Sequence, residues 1–418
     1  MRFLAFALLA SATFAQTSYA QAQPNATDAG TDSADGVDVN PADSNNGSVA
    51  RDTGERTTVA PTPTAVATGP LRDLTLEPTG LLRTSIIYST SDTSVVGGKT
   101  VDSSKADPSL FGYRQGFVLE NAQFGVKGKS AESGLYYSAR VEMVPREKDG
   151  NSSRDFLRDG YIGWNGLKVV DVRLGWQKVA FSQANLKGTH DQTLPYAPTF
   201  DVFTPTRQLG LTVAGMDTKE RVKVTVGAFN SAKQALEQLT DSSQLMMAGR
   251  AEVNIDRFLG DDVGFKWRIG GGAAYTKKYF DNGQQRMWFG ADTRARWRWL
   301  ELEAEFVQMQ FFTDAASDGS QPVHAGSGWH TDLTGWLLDD RVSITGRIEQ
   351  MDGDDTLTDG QSLIIDTLAR QKKQWMTLGI GYTHGKVGRC ILAWIHRSEL
   401  EGFELANDNG QLTCHVAF

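Results

Sequence analysis

Two cysteines in 418 residues exclude a disulfide-stapled scaffold and a Cys-rich zinc site. Basic excess is missing too. The net charge is −8, so the clustered Lys and Arg that phosphate neutralisation needs are absent and no nucleic-acid partner is expected. Past the N-terminus no apolar run approaches the length of a membrane-spanning helix. The six histidines are scattered, with no pair at metal-ligand spacing, and there is no G-x-S-x-G elbow. No metal, cofactor or catalytic residue is therefore assigned, and the chain reads as a non-enzyme.

What is present begins with a short apolar core, Phe3 to Ala10, behind Met1-Arg2 and ahead of the small-residue site Ser18-Tyr19-Ala20. This predicts a secretory signal peptide over 1–20, cleaved near Ala20. Residues 21–79 hold nine acids, three arginines, half of the prolines and no aromatic residue. Such a stretch cannot bury enough apolar surface to offset its ordering entropy, and a disordered acidic leader is expected.

From residue 80 to 418 the pattern changes to alternation with period two, which puts successive side chains on opposite faces of strands. Val222, Val224 and Val226 against Arg221, Lys223 and Thr225 is one instance; Met376, Leu378 and Ile380 against Thr377, Gly379 and Gly381 is another. Sixteen such segments are centred near residues 85, 121, 139, 160, 173, 210, 225, 249, 270, 292, 305, 333, 346, 379, 393 and 415. Long connectors such as 145–155, 179–205 and 351–373 alternate with short ones such as 165–166, 216–218 and 384–386. A sandwich or propeller also has short alternating strands. Three features favour an all-β, sixteen-stranded antiparallel transmembrane barrel of the outer-membrane kind instead. The strands reach about nine residues or more, as a tilted span of hydrocarbon requires. Aromatics such as Trp164, Trp176, Trp267, Trp297 and Trp375 gather toward segment ends. The chain stops on Phe418 after the outward alternation Leu412, Cys414, Val416, which resembles the signal that barrel-assembly machinery reads.

Four stretches carry a more specific likeness: 117–128 (FVLENAQFGVKG), 159–164 (DGYIGW), 174–182 (LGWQKVAFS) and 207–215 (RQLGLTVAG). In order and spacing they resemble the phosphate-selective porin O and P family. The resemblance implies a homotrimer in the outer membrane, in contact with its lipid, whose third long loop folds into the lumen. It also implies a strongly basic constriction. Here the third long connector, 179–205, offers Lys187, His190 and flanking Lys178 and Arg207 against Asp191 and Asp201. Its apolar Leu194, Tyr196, Phe200 and Phe203 are residues that a solvated external loop would not need.

Without Arg2 and the leader's excess of six acids the barrel carries −3. Arg221, Lys223, Arg250, Lys266 and Arg268 fall on the expected inward face of the segments near 225, 249 and 270, with Glu252 as the one acid there. They form an unpaired basic stripe suited to steering anions. With a tight turn at Trp299-Leu300, Arg298, Arg296 and Arg294 fall opposite Glu301, Glu303 and Glu305, a neutralised wall. His330 and Asp332 share one strand face and read as wall. The carboxylate-rich 351–360 lacks the twelfth-position Glu of a calcium loop and reads as a solvated connector. Cys390 and Cys414 fall on neighbouring strands, as a cross-strand disulfide or as two reduced apolar fillers. Together these features point to passive diffusion of small hydrophilic solutes with mild anion preference, phosphate included. The other reading is a non-conducting surface barrel acting in adhesion or cell-wall tethering.

Overall fold

The structure, a computed structural model, describes residues 73–89, 93–96, 99–102, 116–144, 157–198, 204–230, 245–259, 264–279, 284–312, 324–353, 372–385, 387–399 and 408–418. The expected signal peptide, the leader up to residue 72, the loop anchors Phe200 and Phe203, and 354–360 lie outside these residues.

Strand β1 (Glu77–Ser89) is followed by a separate small hairpin, β2 (Thr93–Val96) and β3 (Lys99–Asp102). Then come β4 (Gly116–Lys129), β5 (Leu135–Glu142), β6 (Leu157–Trp164), β7 (Val170–Lys178), β8 (Arg207–Met216), β9 (Val222–Asn230) and β10 (Leu245–Asn254). The second half holds β11 (Phe265–Tyr279), β12 (Gln284–Trp297), β13 (Leu300–Phe312), β14 (His324–Leu337), β15 (Val342–Asp352), β16 (Lys373–His384), β17 (Gly388–Glu399) and β18 (Asn409–Ala417). All except β2 and β3 join in one closed antiparallel barrel in which β1 pairs with both β4 and β18. Every one of the sixteen expected segments is a barrel strand. The small hairpin was not expected, and β1 starts three residues before the expected boundary at residue 80.

Short turns gather at one end of the barrel and long connectors at the other; these ends are the turn side and the loop side below. Leu82, Ile86, Val224, Val226, Leu378 and Ile380 are exposed on the outer face, while Arg83, Ser85, Thr345, Arg347 and Thr377 are buried inside. A soluble fold would cover such an apolar belt, since continuous exposure of this kind is not sustained in water.

The lumen is not uniformly polar, as alternation alone suggested. In its loop-side half, Phe229, Met246, Ala248, Ala274, Trp288, Val307, Met309 and Met351 point inward and make one apolar cluster. The partner of that cluster comes from the third long connector.

Local polar bonds fix the turn side. Asp217 shapes the β8–β9 turn: its Oδ1 accepts the backbone N–H of Arg221 (2.5 Å) and Val222 (2.9 Å), and its Oδ2 accepts Arg221 Nε (2.8 Å). The bond from Val222, then that from the Arg221 side chain, hold the Asp217 carboxyl down at about 2. Asp73 is lowered likewise, by the Ser130 hydroxyl (2.5 Å) and the Glu132 N–H (2.8 Å), which tie it to the β4–β5 turn.

The seam between first and last strands closes on glycine. Gly80 and Phe418 exchange both backbone bonds, at 2.8 and 3.1 Å. The Phe418 ring lies where a Cβ on residue 80 would be, 2.3 Å from that position. It also meets the Phe124 ring at 6.3 Å between centroids. One strand further on, Cys390 and Cys414 are directly opposite each other and form a disulfide, which resolves the alternative left open by the sequence.

Candidate pore

The connector after β7 turns into the barrel. Val179, Phe181 and Ala184 join the apolar lumen cluster, and Phe181 is fully buried. Small residues on the wall make the seat: a Cβ on Gly272 would stand 2.6 Å from the Phe181 carbonyl oxygen, and one on Gly290 would stand 3.2 Å from its ring. A one-turn helix, α1 (Gln183–Leu186), follows, capped by Ser182, whose Oγ accepts the Asn185 N–H at 3.2 Å. After a 3₁₀ turn (Thr189–Asp191) the chain reaches other strands: Leu194, 1% exposed, packs on Gly379 of β16.

A loop inside a barrel carries backbone groups that water no longer serves, so the wall must serve them. Three arginines do this in the same way. Arg250 of β10 donates to the Phe181 carbonyl at 2.8 Å while held by Asp292 at 2.6 and 2.8 Å. Arg347 of β15 donates to the Tyr196 carbonyl at 3.0 Å and grips Asp332 with two bonds of 2.7 Å. Arg83 of β1 donates to the Pro195 carbonyl and pairs with Glu120. The Glu305 carboxylate answers the opposite need, accepting the N–H groups of Gln183 (3.0 Å) and Ala184 (2.8 Å). Lys187 reaches Glu303 at 3.0 Å. Strands far apart around the barrel thus hold one loop across its lumen.

Below the loop, on the turn side, a chamber of about 690 Å³ remains. Five lysines and arginines line it (Lys187, Arg268, Arg294, Arg296 and Arg389), along with His190 and His415, against the acids Asp191, Glu252 and Asp340. The cation excess here contrasts with the acidic chain as a whole.

Several expected partnerships are corrected. The β12–β13 turn is Arg298-Trp299, so Trp297 faces Leu300 and the register lies two residues from the one expected. Arg296 faces Glu301, Arg294 faces Glu303, and it is Asp292 that faces Glu305. Side-chain contacts depart further: Arg294 pairs with Glu301 (2.9 Å) and Arg296 with Asp340 (2.6 Å). Arg298 sits in the turn at φ 52 with its guanidinium over Trp297.

The stripe is not unpaired either. Glu252 is its hub, 3.0 Å from Arg250, 3.9 Å from Arg268 and 4.0 Å from Lys223. Arg221 is taken by Asp217, and Arg207 by Asp159 at 3.0 Å. Lys266 is exposed and has no acid within 4.0 Å among the described residues. His190 is exposed beside Asp191, at 3.3 Å. His330 and Asp332 do share the inner face, 4.0 Å apart. Arg83, Arg347 and Arg389 are not among the residues that the sequence pattern singles out. Arg347 was within reach, since the short turn after β14 sets it directly opposite Asp332.

No protein-family pattern and no curated protein sequence matches the chain. Solved structures do. An anion-selective porin from Comamonas acidovorans superposes with a TM-score of 0.55 at 13% identity, over 82% of this chain and all of the other. The chain has the porin fold. The other porin-fold neighbours include OmpT of Vibrio cholerae lacking loop L8 (TM-score 0.53, 11% identity, 83% of this chain and 100% of that one). Another is OmpF of Salmonella typhi in complex with daunomycin (0.53, 13%, 82% and 97%). The likeness is one of backbone, since identity does not exceed 13% in these three.

Proposed function

We propose that the protein is an outer-membrane porin that lets small hydrophilic solutes diffuse passively, with mild preference for anions. The observation that carries this reading is the cation-rich chamber left under a loop that is itself held inside the barrel. Charges lining a water-filled passage set which ions concentrate there. The apolar outer belt and the porin fold support a place in outer-membrane lipid, with the turn side toward the periplasm as bacterial barrels place their short turns. The signal peptide over 1–20, assembly through recognition of Phe418, and a homotrimer belong to the same reading. Phosphate as the preferred anion rests on the four-stretch resemblance alone.

Planar-bilayer recording tests it. Discrete conductance steps in potassium chloride, with a reversal potential in a salt gradient displaced toward the chloride potential, are the expected result. A correctly folded barrel without conductance would overturn it in favour of a surface barrel.

A further inference from the structure

Arg389 of β17 differs from the three arginines that hold the loop. Arg83, Arg250 and Arg347 each hold a carboxylate. Arg389 is only 7% exposed, yet no carboxylate lies within 4.0 Å of it among the described residues. Its Nη2 donates to Ser343 Oγ at 3.1 Å, and its buried Nε has no acceptor among the described residues. Gly381 leaves the space in which it lies: a Cβ there would be 3.3 Å from Nη2 and 2.5 Å from Ser343 Oγ. Asp191 and Glu301 reach it only through space. A guanidinium so far out of water, without a counter-charge of its own, is costly to keep and is ready to take an anion.

The surroundings say which kind. Arg389 stands 5.7 Å from the Trp336 ring, Arg296 stands 5.5 Å from the same ring, and the buried Trp336 Nε1–H has no acceptor among the described residues. Leu186 from the loop and Val387 from the β16–β17 turn add exposed apolar surface to the chamber. A bare inorganic anion would leave that surface uncovered, whereas an anion with a hydrocarbon body covers it. We propose that the turn-side chamber binds a small organic carboxylate, its charged end taken by Arg389 and its hydrocarbon body laid against Trp336, Leu186 and Val387. The proposal deepens the anion preference argued above and rests on the lumen being a solute path.

Isothermal titration of the detergent-folded barrel tests it with benzoate, inorganic phosphate and the neutral benzyl alcohol as probes. Saturable benzoate binding is expected, with phosphate and benzyl alcohol each weaker by about tenfold or more. Arg389→Gln should weaken benzoate by about tenfold in a barrel that keeps its heat-modifiable mobility. Phosphate binding as tightly as benzoate, or unchanged benzoate affinity in Arg389→Gln, would overturn the proposal. If that variant does not fold, the three probes on the wild-type barrel decide by themselves. Bilayer conductance separates the two readings: benzoate binding without conductance removes the pore and leaves the site, and conductance without benzoate binding does the reverse.

Discussion

At the scale of single residues, the charges inside this barrel divide by what they hold. Arg83, Arg250 and Arg347 are occupied with loop carbonyls and their own acids, so they contribute little field to a passing ion. Glu252 is different, since it offsets three cations at once beside the chamber. Glu252→Gln should therefore raise the anion-to-cation permeability ratio by about twofold, the effect of one charge in a watery passage at about 8 Å. Lys266→Gln should shift reversal potential the opposite way. The joint change Arg296→Gln with Asp340→Asn removes a neutral pair and should move it little. Equal shifts from Glu252→Gln and the joint change would count against the pairing described. The β8–β9 turn has a pH signature of its own. Since the folded Asp217 carboxyl lies below its ordinary value, the stabilisation it gives is complete above about pH 4 and is lost as pH falls through about 2. The Val222 amide shift in NMR should titrate with that low midpoint, and a midpoint near 4 would refute it.

At the scale of elements, the strands were legible because period two survives small errors. The expected β12–β13 register was displaced by two residues, and a displacement by two leaves every side chain on its face. Partners were lost while faces were kept, so Arg296 was given Glu303 where the structure gives it Asp340. The loop's place was legible only in part. Its apolar residues told that it needed cover, but contacts between residue 195 and Arg83, or 194 and Gly379, join distant parts of the chain that no local pattern links. These contacts predict what loosens the loop. Gly272→Val would press on the Phe181 backbone at a cost of about 1–3 kcal/mol. Unit conductance should change, whereas Gly249→Ala, whose Cβ meets nothing closer than 3.6 Å, should leave it as it was. Deleting 184–200 should raise conductance, because its described part, 184–198, crosses the lumen to β15, β16 and β1. An unaltered conductance in a correctly inserted deletion would sink the idea of a constriction.

At the scale of the whole molecule, the first and last strands of the chain meet at one seam. Phe418 lies on Gly80 and beside Phe124, so the last residue covers the place where the first strand is joined. Phe418→Asp should abolish the heat-modifiable form in the outer membrane, and Gly80→Val, which displaces the ring, should lower the temperature at which that form is lost. Normal mobility and melting in both variants would show that the seam does not need the aromatic. Because residues 80 and 418 exchange backbone bonds, the barrel as a cyclic object has no privileged starting point. A circular permutant that bridges residues 77 and 418 with a short linker and opens at Arg298-Trp299 would retain all sixteen strand pairings while leaving Phe418 inside the chain. Refolded in detergent, it should close as the native chain does; expressed in a cell, it would lack a free aromatic terminus. The difference between those two outcomes would separate a role of Phe418 in closing the barrel from its proposed role in delivery.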